Sequence, residues 1–346
     1  MKKALHTLTY TLGVDRLFAH VNRHRPVVLA FHGVTREPSG RIYNHEGKHL
    51  YQPIFERLAA HLAGRHHPVP LSRVVGWLEG KADLPPRAVA VTFDDGYRNV
   101  LTCAGPVLRA HGIPATVYVV TDFVFDGRML WTDRLVAALG MTERQSITVD
   151  APSGPLHLPL ADTTARIEAD RRIRALCKSL ADEARVALLD DVHERLGVGD
   201  DAVATAWEDH QPLRPEELRA LPELGIDVGS HTASHAILSR CAPRAIDREL
   251  QESKQTIEAA CGCPCAHFGY PNGAPGDFDQ TTRERVIAAG YRSATTTVRE
   301  RVASGADRYT IPRYILTHNA VTVSEFSAEL SGYPTLLRTL RHRAGQ

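Results

Sequence analysis

The 346-residue chain has no stretch of about 18 apolar residues, so no transmembrane helix is expected. It has no excess of charge of one sign: 41 Lys and Arg stand against 40 Asp and Glu, a formal net charge of +1. A nucleic-acid binder would show a basic bias, so no nucleic-acid partner is expected. Aromatic residues make up 6% of the chain, and no long aromatic or basic groove is legible in it. Internal repeats and low-complexity tracts are absent as well. The first residues carry two lysines but no apolar core, because Thr7, Thr9, Tyr10 and Thr11 interrupt it; the segment does not read as a secretory signal. Cysteine is sparse, with six residues, three of them in Cys261-Gly-Cys263-Pro-Cys265. Alternating thiols on one strand suit a disulfide poorly, and paired zinc ligands prefer two or more intervening residues. Reduced, structural thiols are expected, and with the missing signal they indicate the cytoplasm, with the inner face of the membrane as a variant of that location.

What is present is the composition of a globular protein, 43% hydrophobic and 23% charged. Residues 1–25 form an amphipathic helical segment with Leu5, Leu8, Leu12, Leu17 and Phe18 at roughly helical spacing and basic residues between them. Such a segment either docks on the protein's own body, the preferred reading, or rests on a membrane surface as a peripheral contact. Two apolar runs, Val27 to Phe31 and Ala88 to Phe93, read as buried strands; the second is followed by a helix closing at Gly112 and a strand from Ala115. Strand, helix, strand in this order is a βαβ unit and implies parallel pairing. Further strands are expected at 226–229, 266–270, 291–297 and 309–316, with helices at 53–64, 71–78, 243–260 and 280–289. Residues of about 140–215 read as a helical insertion with a solvated charged face. The main domain is placed at 26–330, followed by a basic tail at 331–346. Many βα units favour a barrel or a doubly wound sheet, in which chemistry gathers where strands end.

Three polar clusters sit at such ends. Thr92-Phe93-Asp94-Asp95-Gly96 puts two carboxylates at the mouth of a buried strand. Adjacent acids repel, and a divalent cation would relieve this by taking one as a ligand and leaving the other as a base; an ordinary Asp-Gly turn accounts equally well for the cluster alone. His231-Thr-Ala-Ser-His235 places two imidazoles four residues apart, which on one turn of helix would share a face. Two His and one Asp with an open position is the pattern of a hydrolytic metal site.

In that order, Thr-Phe-Asp-Asp-Gly, Ser-His-Thr-x-x-His and Phe-Gly-Tyr-Pro-Asn-Gly resemble the motifs of the polysaccharide deacetylase family, carbohydrate esterase family 4, with its NodB homology domain. The resemblance implies an α/β fold, a distorted (β/α) barrel of about seven strands with a helical insertion, and a metal-dependent hydrolase that removes N-linked acetyl groups from an amino sugar. It implies Asp94 as the general base, and Asp95, His231 and His235 as ligands of a divalent metal, Zn2+ by preference with Co2+, Mn2+ or Ni2+ as alternatives. It places Tyr270, Pro271 and Asn272 on the substrate side, with a backbone N–H of that turn facing the oxyanion. An acid must protonate the departing amine. His32, after the first strand, resembles the acid of the circularly permuted members and is preferred; His318 resembles the late histidine of the usual order and is the alternative. The third motif lacks the arginine that many members use to hold the base. Arg313 either supplies that charge beside the substrate site or forms a surface salt bridge. Trp131 is either a sugar platform or a core residue.

The expected partner is an N-acetylated amino sugar or glycan precursor. The alternatives are a metal-dependent hydrolase of a small non-sugar amide and a catalytically silent carbohydrate-binding relative.

Overall fold

Two apolar segments of the chain lie side by side within one sheet. β1 (Val27–Phe31) and β5 (Ala88–Phe93) are buried at every residue and pair in parallel, Val27 opposite Val89 through Phe31 opposite Phe93. Strands without an exposed face need cover on both sides, and βα connections provide it. In this computed structural model, which describes residues 2–38, 40, 42–199, 210–317 and 321–333, seven parallel strands run in the order β11-β10-β9-β6-β5-β1-β12. The others in that path are β6 (Ala115–Val119), β9 (Ile226–Ser230), β10 (His267–Gly269), β11 (Ser293–Thr295) and β12 (Tyr314–Ile315), and a short β4 (His67–Pro68) pairs with β5. β12 joins β1, while Thr296 and Ile311 exchange backbone contact next to β11. The sheet is thereby drawn round into a distorted (β/α) barrel whose closing seam is irregular chain instead of a full strand. A parallel pair, β2 (Gly33–Thr35) with β3 (His49–Tyr51), continues beyond β1.

Helices at Gln52–Arg65, Leu71–Leu78, Gly105–Ala110, Pro243–Cys261 and Gln280–Ala288 cover the barrel, close to the expected positions. The insertion differs from the expected helical segment. It starts at the helix Trp131–Met141 and includes an antiparallel hairpin, β7 (Ser146–Ala151) with β8 (Gly154–Pro159), before the helices Thr163–Ser179 and Asp182–Leu196. Ile147 and Val149 alternate with exposed residues on β7, so a period of two was present in a stretch read for its period of 3.6. These elements share a core of their own, with Leu135, Leu139, Val149, Ile173, Cys177 and Val192 buried together. The insertion is a small α/β subdomain set beside the barrel.

The N-terminal helices Lys2–Thr11 and Val14–Val21 dock on the body, as preferred. Asn22 Nδ2 donates to Ser331 O at 2.9 Å, and Ser327 Oγ donates to the buried Asp15 carboxylate. Leu8, Leu12, Leu17 and Val21 nevertheless stay 55–69% exposed. The ordered chain continues through the helix Val323–Ser331 to Tyr333, which packs on Phe18. The remainder of the expected basic tail lies outside the described residues. All six cysteines are free thiols.

Candidate functional site

The site forms where β1, β5, β9 and β10 end, and backbone conformation shows how tightly it is built. Among the described residues, five non-glycine positions have positive φ, and four of them are here: Asp95 (79°), Thr232 (71°), His235 (60°) and Asn272 (62°). Side chains are held in this region only where the surroundings dictate it, and such positions cluster at functional sites.

Asp94 leaves β5 with its N–H bonded to Phe31 O at 2.8 Å. Its carboxylate is gripped from both sides by Arg313, Nη1 to Oδ1 at 2.6 Å and Nη2 to Oδ2 at 2.8 Å, while Nη1 also reaches Thr92 Oγ1 and Nε donates to Thr296 O. Burial alone would raise the Asp94 carboxyl, but the charge and hydrogen bonds of Arg313 outweigh it and hold it below its ordinary range. Arg313 is fully buried, so it forms no surface salt bridge. It supplies the charge that holds Asp94, as expected from its place at another strand end, and it lies behind the cleft instead of on the substrate side.

The two histidines come together without the expected helical turn. Past β9 the chain is a loop, and Glu249 of the helix Pro243–Cys261 pins it by accepting from Ala233 N, Ser234 N and Ser234 Oγ at 2.8–2.9 Å. His231 Nδ1 lies 2.6 Å from Gly269 O. Donating there leaves the Nε2 lone pair for a cation. Burial pushes His231 down to about 4, which keeps the imidazole neutral. Nε2 of His231 and of His235 lie 3.6 Å and 3.4 Å from Asp95 Oδ1, which receives no directed hydrogen bond. One ligand atom from each of Asp95, His231 and His235 falls within 4.8 Å of the others, with no fourth His, Cys, Asp or Glu in the group among the described residues. Buried acceptors facing one another without a donor are costly unless a cation sits between them, so this set fits a divalent metal with open positions.

The sequence reading missed Lys48. Its Nζ lies 2.8 Å from Asp95 Oδ2, 3.2 Å from Asp133 Oδ1 and 2.5 Å from the Tyr97 hydroxyl. Burial would lower this lysine, but Asp133 and Asp95 raise it above its usual value. Asp95 is in turn held well below the carboxylate range: burial opposes this, and Lys48 and His235 prevail. Lys48 sits in a loop before β3, without a motif to mark it; the Trp131-Thr132-Asp133 run was visible, but not the role of Asp133.

These groups line a cleft of about 290 Å3 that also holds His32, Glu46, Trp131, Arg174, Lys178 and Asn272. His32 follows β1, and its buried Nδ1 has no partner. Burial lowers it, Asp95 and Asp94 pull the other way, and Lys48 and Arg313 side with burial. His318 lies outside the described residues. Trp131 belongs mainly to the insertion's core, 9% exposed, with one side on the cleft.

The third motif divides. Tyr270 is fully buried and stacked on Phe278, and Pro271 is buried as well; neither lines the cleft, which corrects their placement on the substrate side. Asn272 does line it. In this turn Gly273 N bonds Pro271 O and Ala274 N bonds Asp277, whereas the N–H of Asn272 has no partner among the described residues.

The sequence profile of the polysaccharide deacetylase family matches residues 81–141 and 198–294. Asp94, Asp95, His231 and His235 fall inside these segments, and the gap between them spans the hairpin and the two long helices of the insertion. Several solved structures are similar. One is a Streptococcus pyogenes deacetylase, PplD, in complex with acetate, at 12% identity and a TM-score of 0.58, covering 88% of this chain and 98% of that one. IcaB from Ammonifex degensii is similar at 18% identity and a TM-score of 0.55, covering 89% and 97%. A de-N-acetylase from Aggregatibacter actinomycetemcomitans is similar at 14% identity and a TM-score of 0.53, covering 88% and 99%.

Proposed function

We propose, from the premise that this chain belongs to the polysaccharide deacetylase family of carbon–nitrogen hydrolases, that it removes the N-acetyl group of an amino sugar in a glycan or glycan precursor. The observation that carries this reading is the meeting of Asp95, His231 and His235 beside an Arg313-bound Asp94 in one cleft. Asp95, His231 and His235 would hold a divalent metal, zinc by preference with cobalt, manganese or nickel as alternatives. When bound, it supplies Lewis-acid polarisation and acidifies water.

This chain's own residues do the rest. Asp94, kept ionised by Arg313, takes a proton from water as its oxygen attacks the acetyl carbon. The N–H of Asn272 faces the oxygen that becomes negative. The carbon–nitrogen bond then breaks as His32 delivers a proton to nitrogen, leaving acetate and a free amine. His32 must carry a second proton at this step, and the neighbouring Asp95 and Asp94 carboxylates favour that imidazolium against the burial that lowers it.

Acetate release from chitooligosaccharides and other N-acetylated sugars, with the metal supplied, tests the reading. Asp94→Asn should lower the rate by about 10³-fold while metal content is unchanged. Turnover of small non-sugar amides alone, or of nothing at all, would overturn it.

The proposed location is the cytoplasm, at the inner membrane face. Leu8, Leu12, Leu17 and Val21 are exposed on the N-terminal helices, and the second of these helices also lines a cleft of about 380 Å3 with Arg16, His20, Arg23, Arg65 and Arg87 beside Asp15, a combination suited to anionic lipid. Flotation with vesicles of phosphatidylglycerol but not phosphatidylcholine, lost in high salt and in Leu12→Ser/Leu17→Ser, supports peripheral binding. Flotation with neither vesicle would sink it.

A further inference from the structure

The cations of the catalytic cleft are not equivalent. Lys48 is bound by Asp95, Asp133 and Tyr97. Arg174 pairs with Asp170 at 2.7 Å and with Glu46 at 2.9 Å, and donates to Thr132 O at 2.8 Å. Arg313, behind the cleft, is spent on Asp94. Lys178 alone, one helical turn beyond Arg174 on the helix Thr163–Ser179, lines the cleft with no ion pair or hydrogen bond among the described residues. Its environment is half-buried, and burial lowers its pKa, with Glu46 opposing and Arg174 adding to the effect. Glu46 acts on it without forming an ion pair with it, and gives one carboxylate oxygen to Arg174 Nη1.

An ammonium partly stripped of water, with only the longer-range pull of Glu46, Asp277 and Asp170 and no direct ion pair, is costly, and an incoming anion reduces the cost. The cleft's own charges leave room for one. With their direct partners counted, Glu46, Asp94, Asp95, Asp133 and Asp170 stand against Lys48, Arg174, Lys178 and Arg313, and a divalent ion on Asp95, His231 and His235 would turn this net negative set net positive. Lys178 comes from the insertion, whereas the base and the proposed metal ligands come from the barrel.

We propose that Lys178 is a specificity residue that receives an anionic group, phosphate or carboxylate, carried by the substrate next to the sugar that is deacetylated. This rests on the deacetylase reading. The substrate class becomes a charged amino-sugar derivative, such as a glycosyl phosphate, a diphosphate-linked sugar or a glycan with an adjacent uronate, and not a neutral homopolymer.

The test compares N-acetylglucosamine 1-phosphate, a diphosphate-linked nucleotide sugar, a diphosphate-linked sugar on a short polyprenyl chain and a uronate-containing disaccharide with neutral N-acetylglucosamine oligomers of matched size. Acetate release and equilibrium binding are both measured on the metal-loaded protein. Wild type should favour at least one charged ligand by about 10-fold or more in kcat/KM or Kd. Lys178→Gln should bring that preference near parity through KM, with kcat on neutral sugar unchanged, and Lys178→Arg should restore most of it. Equal handling of all ligands by the wild type would overturn the proposal. So would a charge preference that survives in Lys178→Gln, since the metal and not Lys178 would then read the anion. Binding that shows the preference without any acetate release would leave the anion site standing and remove the deacetylase reading instead.

Discussion

The barrel wall of the cleft carries Asp94 on Arg313, Asp95 on Lys48 and His231 on Gly269 O, every one of them buried and held by a named partner. The facing wall, from the insertion, carries Trp131 with its indole N–H unpartnered and Lys178 with its ammonium unpaired. The family profile covers Asp94, Asp95 and His231 but neither Arg313 nor Lys48, and of the insertion it covers Trp131 while skipping the hairpin and the long helices. Groups that must move protons and hold an ion need fixed geometry, and their cost of burial is met by internal partners. Groups that choose a substrate can wait for the substrate to supply the partner. On the proposed reading the barrel carries the reaction and Lys178 the selection, while Arg174, held by Asp170 and Glu46, belongs to the insertion's own framework.

The strongest way to break this division is on the barrel side. Asp95→Ala should abolish stoichiometric metal binding and reduce acetate release by about 10³-fold or more, the scale on which metal-assisted activation of water contributes. Metal titration and turnover both check it, and an active, metal-free variant would contradict the assignment. Next comes Arg313→Ala, which leaves the Asp94 charge buried and alone. A loss of about 3–5 kcal/mol of stability is expected in denaturant unfolding, with acetate release down by about 10²-fold, and Arg313→Lys should recover part of both.

Acid sensitivity should also belong to the barrel. Burial pushes His267 on β10 down to about 4. The unfolded chain therefore binds a proton below about pH 6.5 that the fold refuses, so stability falls as pH drops from 7 toward 4. His267→Gln should flatten that fall by about 1–2 kcal/mol between pH 7 and 5, read from unfolding curves at each pH. The smallest effect is on the insertion. Gly154 turns the hairpin at φ 112°, where a side chain is strained. Gly154→Ala should cost about 1–3 kcal/mol in unfolding and leave kcat unchanged. A changed kcat would tie the insertion to the chemical step.

The parts legible in the sequence share a local signature. β1 and β5 were readable because strands buried on both faces are continuous apolar runs, and Asp94, Asp95, His231 and His235 because each group sits at a strand end in a compact motif. Arg313 was legible only through the arginine missing from the third motif, as a candidate to hold Asp94; the contact itself joins residues 219 positions apart. Lys48, Glu249 and Lys178 had no local signature, since each acts through a partner or a cleft that only the folded chain assembles. The substrate-side reading of Tyr270 and Pro271 failed for the opposite reason: a contiguous motif was treated as one functional surface, while the strand end buries all of it but Asn272.

The arrangement of the barrel bears on what the enzyme can reach. The arginine-lined cleft beneath the helix Val14–Val21 includes Pro86 and Arg87, just before β5 begins, whereas Asp94 stands where β5 ends. A six-residue strand sets these two ends on the order of 20 Å apart. If the first end rests on a bilayer, the catalytic mouth opens at that standoff into solution. A sugar fixed at headgroup depth would fall short of it, so the acceptor must either diffuse freely or be long enough to rise to the mouth.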